Sequence, residues 1–314
     1  MKNILEVILI TYNRKKHLER TLKSIFDQGS PIADLDFTIV DNASSDGSAD
    51  VIKAYAAKYP NIRYIRRNRN IGGNANIAGA FELAAKKYLW VLCDDDTYDF
   101  SAWPQITKAI EEDYDLILTN KEYLNGRLSG LLRRLSFLPS AIFKTSFLDE
   151  NVMVNIFDNI PNWFPHLAVS VSIFNKGGRI FTPSANIVIT GMENASSFEH
   201  RLKKYPYLSK RATHTFFAVC FFNIMELVEN KKARYEAVEH YHDNIESFFW
   251  AIMSDYKFNT VFLGNYSRNI FEPLSVFSFT QKVRFIFAII CLNVLALLKY
   301  PRYYFKKKKL LKTK

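Results

Sequence analysis

Residues 88–100 read YLWVLCDDDTYDF, an apolar run that ends abruptly in three adjacent carboxylates, Asp94, Asp95 and Asp96. A short, continuous apolar run is the pattern of a strand buried on both faces, as in a parallel sheet. Adjacent like charges repel, and only a positive group among them removes the penalty. Three acids gathered where the chain leaves its core read either as a solvated strand end or as the seat of a cation, and the rest of the chain has to decide.

On either side of this run, strand and helix alternate. ILEVILIT (4–11) is a buried-type strand, and RKKHLERTLKSIFDQ (14–28) carries Leu18, Leu22, Ile25 and Phe26 at helical spacing. DFTIVDNAS (36–44) predicts a second strand, SADVIKAYAAKY (48–59) a helix, NIRYIRRN (61–68) a third strand and NANIAGAFELAAKKY (74–88) a helix. AWPQITKAIEED (102–113) predicts a helix after the fourth strand, and YDLILTN (114–120) a fifth strand. Strands alternating with helices of this length imply an α/β fold, a mainly parallel sheet with flanking helices. Ligands bind such sheets at the carboxyl ends of the strands. Three of those ends carry polar clusters here: TYNR, DNASSDGS and DDDTYD.

Composition narrows the functional class. The 314 residues are 48% hydrophobic, enough for one large domain or a domain with an appendage. Twenty-six phenylalanines and seventeen tyrosines supply aromatic surface suited to sugar stacking or a membrane boundary. Cys93, Cys220 and Cys291 are widely spaced, with neither CxxC nor zinc-type spacing, which points to a reduced cytosolic compartment. The formal charge is +11, but Lys299–Lys314 holds eight Lys or Arg and no acid, which leaves +3 over residues 1–298. The basicity belongs to the tail, so no nucleic-acid partner is expected. No GxGxxG follows a predicted strand and no Gly-rich phosphate loop follows the first one, which excludes a dinucleotide oxidoreductase and argues against a nucleotidyltransferase. The N-terminal apolar run is interrupted by Glu6 and lacks a small-residue cleavage site, so it predicts a strand and not a signal peptide.

In this order and spacing, ITYNR (10–14), VDNASSDGS (40–48), RNRNIGGNANIAGA (67–80) and LCDDD (92–96) resemble glycosyltransferase family 2, strongly over residues 3–120 and more weakly over 136–195. The resemblance implies a Rossmann-like GT-A fold and inverting transfer from a nucleotide-diphosphate sugar, with Mn²⁺ or Mg²⁺ as cofactor. It implies that Thr11, Tyr12 and Asn13 line the base and ribose pocket, with Asp41 at the nucleobase edge and Asp46 near it. Asn70, Gly72, Gly73 and Asn76 would shape the diphosphate side. Asp94 and Asp95 would contact the nucleotide, and Asp95 and Asp96 the metal. The family's D-x-D-D has Cys93 at its first position here. A second departure falls where the family keeps Glu-Asp before a helix. Counting back from KGGRIFTPSA (176–185) reaches Pro165 and His166. An abequosyltransferase-like branch shows similar replacements, which the PHLA stretch weakly resembles. The resemblance therefore makes His166 the expected base, with Asp158 of the preceding loop as the alternative.

Beyond residue 120 the pattern is weaker. GRLSGLLRRLSFLPSAIF (126–143) reads as a basic connection to a strand, and 146–189 as loop, helix, Gly-Gly stop and strand. Trp163 and Phe164 are core or an acceptor platform; Arg66, Arg67 and Arg69 are a solvated face or diphosphate ligands. HRLKKYPYLSKR (200–211) is a solvated loop or a contact for phosphate. The expected organisation is a catalytic domain over 1–195, a C-terminal helical region over 196–280, and an apolar helix with a polybasic tail over 281–314. Phe285–Leu298 is apolar but short of the roughly twenty residues that span a bilayer. With the lysines behind it, that segment predicts a peripheral anchor on the anionic inner face of the cell membrane. The expected acceptor is a glycan or lipid-linked glycan of the bacterial surface (O-antigen, capsule or similar). The rival is a catalytically inactive family member acting as a membrane-bound partner in polysaccharide assembly.

Overall fold

Apolar runs separated by polar turns build the sheet of the first unit. In the computed structural model, which describes residues 1–121, 127–189, 210–241, 245 and 272–291, the chain forms two compact units, Met1–Ala195 and Ser196–Lys314. In the first, β1 (Leu5–Thr11), β2 (Asp36–Asp41), β3 (Ile62–Arg66) and β4 (Tyr88–Cys93) are parallel. The two-residue β5 (Thr97–Tyr98) follows, then β6 (Leu116–Leu118), β7 (Ala141–Lys144), β8 (Ile180–Phe181) and β9 (Val188–Ile189). The main sheet has seven strands in the order β3-β2-β1-β4-β7-β6-β8, while β5 pairs with β9. The expected α/β sheet is thus present, and β7 is its one reversed member, antiparallel to both β4 and β6.

Strand order reverses between β1 and β4, so their carboxyl ends flank a crevice, the position where open α/β sheets bind ligands. Helices α1 (Lys15–Leu22), α2 (Ser48–Lys58), α3 (Gly73–Glu82) and α4 (Trp103–Glu111) connect the strands as the spacing predicts. The first is shorter than expected, because it passes into a π-helical turn over Lys23–Asp27. Glu6, which interrupts the first apolar run, is buried and accepts the Lys86 amide at 2.8 Å, closing the turn into β4.

Two helices lie where the sequence predicted none. The basic connection contains α5 (Leu128–Leu135), whose Leu128, Leu131, Leu132 and Leu135 are buried at i, i+3, i+4 and i+7 while Arg133 stays exposed. The loop before residue 160 is largely α6 (Glu150–Asp158), capped by Asp149, which accepts the Val152 amide at 3.0 Å. The expected helix follows as α7 (Leu167–Asn175), and Gly177 in the left-handed region (φ 67°) ends it.

In the second unit, α8 (Lys210–Met225) and α9 (Lys231–Glu239) precede helical residues 279–291. This last helix starts six residues before the predicted apolar run. The reason is a capping box: the Ser278 amide donates to Gln281 Oε1 at 2.9 Å and the Gln281 amide to Ser278 Oγ at 3.3 Å. Gln281 also donates to the Tyr235 carbonyl, and Arg284 to Glu239, both on α9. Phe285, expected to open an anchor, is fully buried edge-on against Phe277. No described helix is long and apolar enough to cross a membrane. Residues 200–209, 292–298 and the basic tail lie outside the described residues.

Because Leu132 is fully buried, Leu132→Ala should cost about 2–4 kcal/mol through lost burial and a residual cavity. Urea unfolding would show this as a lower midpoint at unchanged slope, whereas Arg133→Ala, on the exposed face, should move the midpoint little.

Candidate functional site

The turn of three aspartates is met by groups from α1 and the loop before it. Arg14 pairs with Asp95 and lies 3.4 Å from Asp94 Oδ1. Arg20 donates to the Asp95 carbonyl at 2.8 Å, and the Thr21 hydroxyl bridges the Asp94 and Asp96 carbonyls, each at 3.0 Å. Burial lowers the basicity of Arg14, but Asp94 and Asp95 outweigh it and hold the guanidinium above its usual range. Burial lifts the Asp94 carboxyl to about 6, against the opposing pull of the Thr11 hydroxyl and Arg14.

The acids do not act as one cluster. Asp94 turns toward β1, where it accepts the Thr11 hydroxyl at 2.6 Å. Ligand atoms of Cys93, Asp95 and Asp96 instead lie within 4.8 Å of one another. Two carboxylates suit a hard, oxygen-liganding divalent ion such as Mn²⁺ or Mg²⁺, and the cysteine sulfur adds a softer donor that neither ion prefers. The expected metal pair Asp95–Asp96 is brought together, and Cys93 joins it. Burial, then the neighbouring Asp96, Asp95 and Asp94, push the Cys93 thiol well up, so without an ion it is protonated.

The loops after β1, β2 and β3 are latched to each other. Asn13, in the left-handed region at φ 51°, accepts the Ser45 amide at 2.7 Å and donates its own amide to Ser44 Oγ at 2.9 Å. Asp46 accepts the Lys15 amide at 2.8 Å. Asn42 joins the next pair of loops: its amide donates to Asn70 Oδ1 at 2.9 Å, and its oxygen accepts the Ile71 amide at 3.1 Å. Asp41 is fully buried, accepting the Ser44 amide at 2.8 Å and the Tyr64 hydroxyl at 3.0 Å. Tyr12 is 41% exposed beside this frame.

Gly72 precedes α3 at φ 89° and ψ 155°, a conformation a side chain rarely adopts. A Cβ at Gly72 or Gly73 would meet nothing within 4 Å, so the backbone faces open space. No side chain caps this helix start, which leaves amide donors for an anion. Asn76 is buried, with its carbonyl taken by Arg67 Nε at 2.7 Å. Arg67 also packs so closely on Gly79 that a Cβ there would come within 2.3 Å of the guanidinium. It is a bracket between β3 and α3, neither a solvated side chain nor a free one, whereas Arg66 and Arg69 are exposed.

Neither expected base joins the carboxylates by a hydrogen bond. His166 is 1% exposed, and its Nε2 lies 2.8 Å from the Leu135 carbonyl at the end of α5. A carboxylate could not donate to that carbonyl; an imidazole N–H can. Nδ1 has no partner, which leaves its lone pair free, and burial drops the pKa to about 4. Asp158 is exposed at the last residue of α6. The loop beyond it reaches the glycine turn, since Asn74 donates to the Ile160 carbonyl at 2.7 Å. Trp163 and Phe164 are half-buried, and the Phe164 ring stands edge-on to His166 at 6.5 Å.

The sequence reading missed Arg14, Arg20, Thr21 and Asn42. Each sits inside or just after a quoted motif, but its role depends on which strand end lies opposite.

The sequence profile described as Glycosyl transferase family 2 matches residues 6–174. The chain belongs to that family. It is 31% identical over 113 residues to the abequosyltransferase RfbV of Salmonella typhimurium, covering 36% of this chain and 34% of the relative. It is 29% identical over 166 residues to a poly(ribitol-phosphate) beta-glucosyltransferase of Bacillus spizizenii, covering 47% and 26%. The chain thus spans only about a third or less of the length of these two curated relatives. Among solved structures it resembles S. aureus TarS 1–349 (TM-score 0.59, 16% identity, 87% of this chain and 80% of that one). It also resembles the mannosyltransferase PcManGT of Pyrobaculum calidifontis, in complex with GDP-Man and Mn²⁺ (TM-score 0.53, 17% identity, 96% and 81%). These likenesses bear out the expected GT-A fold.

A neutral, buried His166 has a consequence for stability. Its folded pKa of about 4 lies below the unfolded value near 6.5, so its contribution is complete above pH 6.5 and is lost as pH falls through 4. That loss amounts to about 3 kcal/mol at most. Asp94, raised to about 6, works in the opposite sense as pH falls from there toward 4. The clean measurement is therefore the difference between wild type and His166→Gln. Urea unfolding at pH 7 and pH 4.5 should show wild type losing more stability than the variant.

Proposed function

We propose that this chain is a metal-dependent, inverting glycosyltransferase. It moves a sugar from a nucleotide-diphosphate donor to a hydroxyl of a lipid-linked or growing bacterial surface glycan, such as O-antigen or capsule. The observation that carries the reading is the grouping of Cys93, Asp95 and Asp96 at the end of β4, beside the latched loops after β1–β3. The names of RfbV and of the poly(ribitol-phosphate) glucosyltransferase support a surface-glycan acceptor. The TarS 1–349 structure with UDP-GlcNAc and the PcManGT complex support a nucleotide-sugar donor. A peripheral position on the inner face of the membrane is part of the same reading.

Thr11, Tyr12, Asn13 and Asp41 take the nucleoside in this reading, and the open start of α3 at Gly72–Gly73, flanked by Asn70 and Asn76, takes the diphosphate. A divalent ion held by Asp95 and Asp96, with Cys93 as third donor and Asp94 toward the ribose, would offset the charge of the departing diphosphate. The acceptor oxygen bonds to the anomeric carbon as the bond to the diphosphate oxygen breaks, and the base takes the acceptor proton.

His166 is the proposed base. The Leu135 carbonyl holds the tautomer that leaves Nδ1 as acceptor. A pKa of about 4 gives the imidazole the basicity of the carboxylate it replaces. Accessibility favours Asp158 instead, so both are tested. His166→Ala should lose on the order of a hundredfold in transfer rate while still binding donor, and Asp158→Ala should not. With this base, His166 adds no acid limb to transfer above about pH 5, and a limb near 6 belongs to Asp94 and should disappear in Asp94→Asn; a limb that persists there would argue against the assignment.

Asp96→Ala, altering a buried residue just past the strand end, should abolish turnover and Mn²⁺-dependent binding of nucleoside diphosphate, with the far-UV spectrum retained. Full activity of that variant in chelator would remove the metal from the reading. The inactive-partner alternative is favoured by the engaged His166 ring. Release of nucleoside diphosphate from donor in the absence of acceptor would exclude it.

A further inference from the structure

Helical residues 279–291 carry apolar side chains that remain largely exposed. Phe279 is 82% exposed, Phe287 67%, Ile290 55%, Val283 50% and Ile286 48%. At 3.6 residues per turn these five positions fall within an arc of about 100°, one continuous stripe. The opposite face is fastened down: Gln281 and Phe285 are buried, and Arg284 pairs with Glu239 of α9. The helix therefore cannot turn its stripe inward without breaking its capping box and its bonds to α9.

We infer that this stripe lies in the plane of an anionic lipid surface and inserts its phenylalanines at the boundary between headgroups and acyl chains. This rests on the membrane position proposed above and assigns it to particular residues: Ile286, Phe287 and Ile290 of the run that the sequence suggested, with Phe279 and Val283 before it and without the buried Phe285. Two facts favour lipid over a protein partner. Residues 279–314 contain ten Lys or Arg and no acid, so the stripe leads directly into a segment that only a negatively charged surface complements. Among the described residues, no helix meets the length and hydropathy for crossing, which suits binding in the interface. An amphipathic helix followed by a polybasic segment binds in the interface, with apolar insertion and electrostatic attraction each contributing.

The two contributions can be measured separately. Full-length protein is sedimented with phosphatidylcholine vesicles, with and without phosphatidylglycerol. Wild type should bind the anionic vesicles strongly and the neutral ones weakly. Phe279→Gln with Phe287→Gln, both highly exposed in the free protein, should keep the fold and lose on the order of tenfold or more in affinity for the anionic vesicles. Replacing Lys306–Lys309 with serine should abolish the preference for phosphatidylglycerol. The proposal is overturned if the phenylalanine variant binds like wild type. It is equally overturned if wild type ignores both vesicles, or if that variant turns a sedimenting dimer into a monomer with vesicle binding unchanged, which would make the stripe a contact between copies. Vesicle binding is read on protein without donor, so its failure is distinct from failure of the transferase reading, which is judged on nucleoside diphosphate release.

Discussion

The first unit depends on how it neutralises the turn Asp94–Asp96. Three acids follow an apolar strand, and the groups that meet them come from α1 and the loop after β1: Arg14 to the Asp94 and Asp95 carboxylates, Arg20 and Thr21 to carbonyls of the turn. This works only in the observed register, with Ile10 opposite Cys93. A slip of one residue would turn every side chain of β4 to the other face and separate the acids from their partners. The pairing of β1 with β4 thus sets both the sheet and the site.

From that pairing the rest of the frame is built by hydrogen bonds between loops. Asn13 joins the first loop to the second, and Asn42 the second to the third. The Asn42 side-chain amide carries both a donor and an acceptor and uses both on the third loop, donating to Asn70 and Gly72 and accepting from the Ile71 amide. Loops ordered before a ligand arrives do not lose that freedom on binding, which favours affinity for a charged, flexible donor.

Position 166 shows how one residue can answer two demands. The last carbonyls of α5 lack intrahelical partners, and the one at Leu135 is met by an imidazole N–H from the start of α7. A carboxylate in the same place would add repulsion between lone pairs. The His166 imidazole is therefore tied to α5, a helix formed by a leucine repeat inside an otherwise basic stretch, and the role of base would be its second demand in the function proposed above.

The sequence by itself determined the α/β alternation, the four parallel strands and the clustering of polar residues at their ends. Those follow from local periodicity, which needs no knowledge of distant partners. Through the family resemblance it also singled out Asp95 and Asp96 as expected metal ligands, and their ligand atoms do lie close together. The tertiary structure alone decided that Asp94 faces Thr11, that Cys93 joins the other two acids, and that Phe285 is buried while Phe279 is exposed. Only packing could separate these outcomes. In an extended turn, successive side chains diverge, and a helix in a uniformly apolar stretch has no periodic signal to say which face meets the core. There the choice was made by contacts remote in sequence, Thr11 with Asp94 and Arg284 with Glu239.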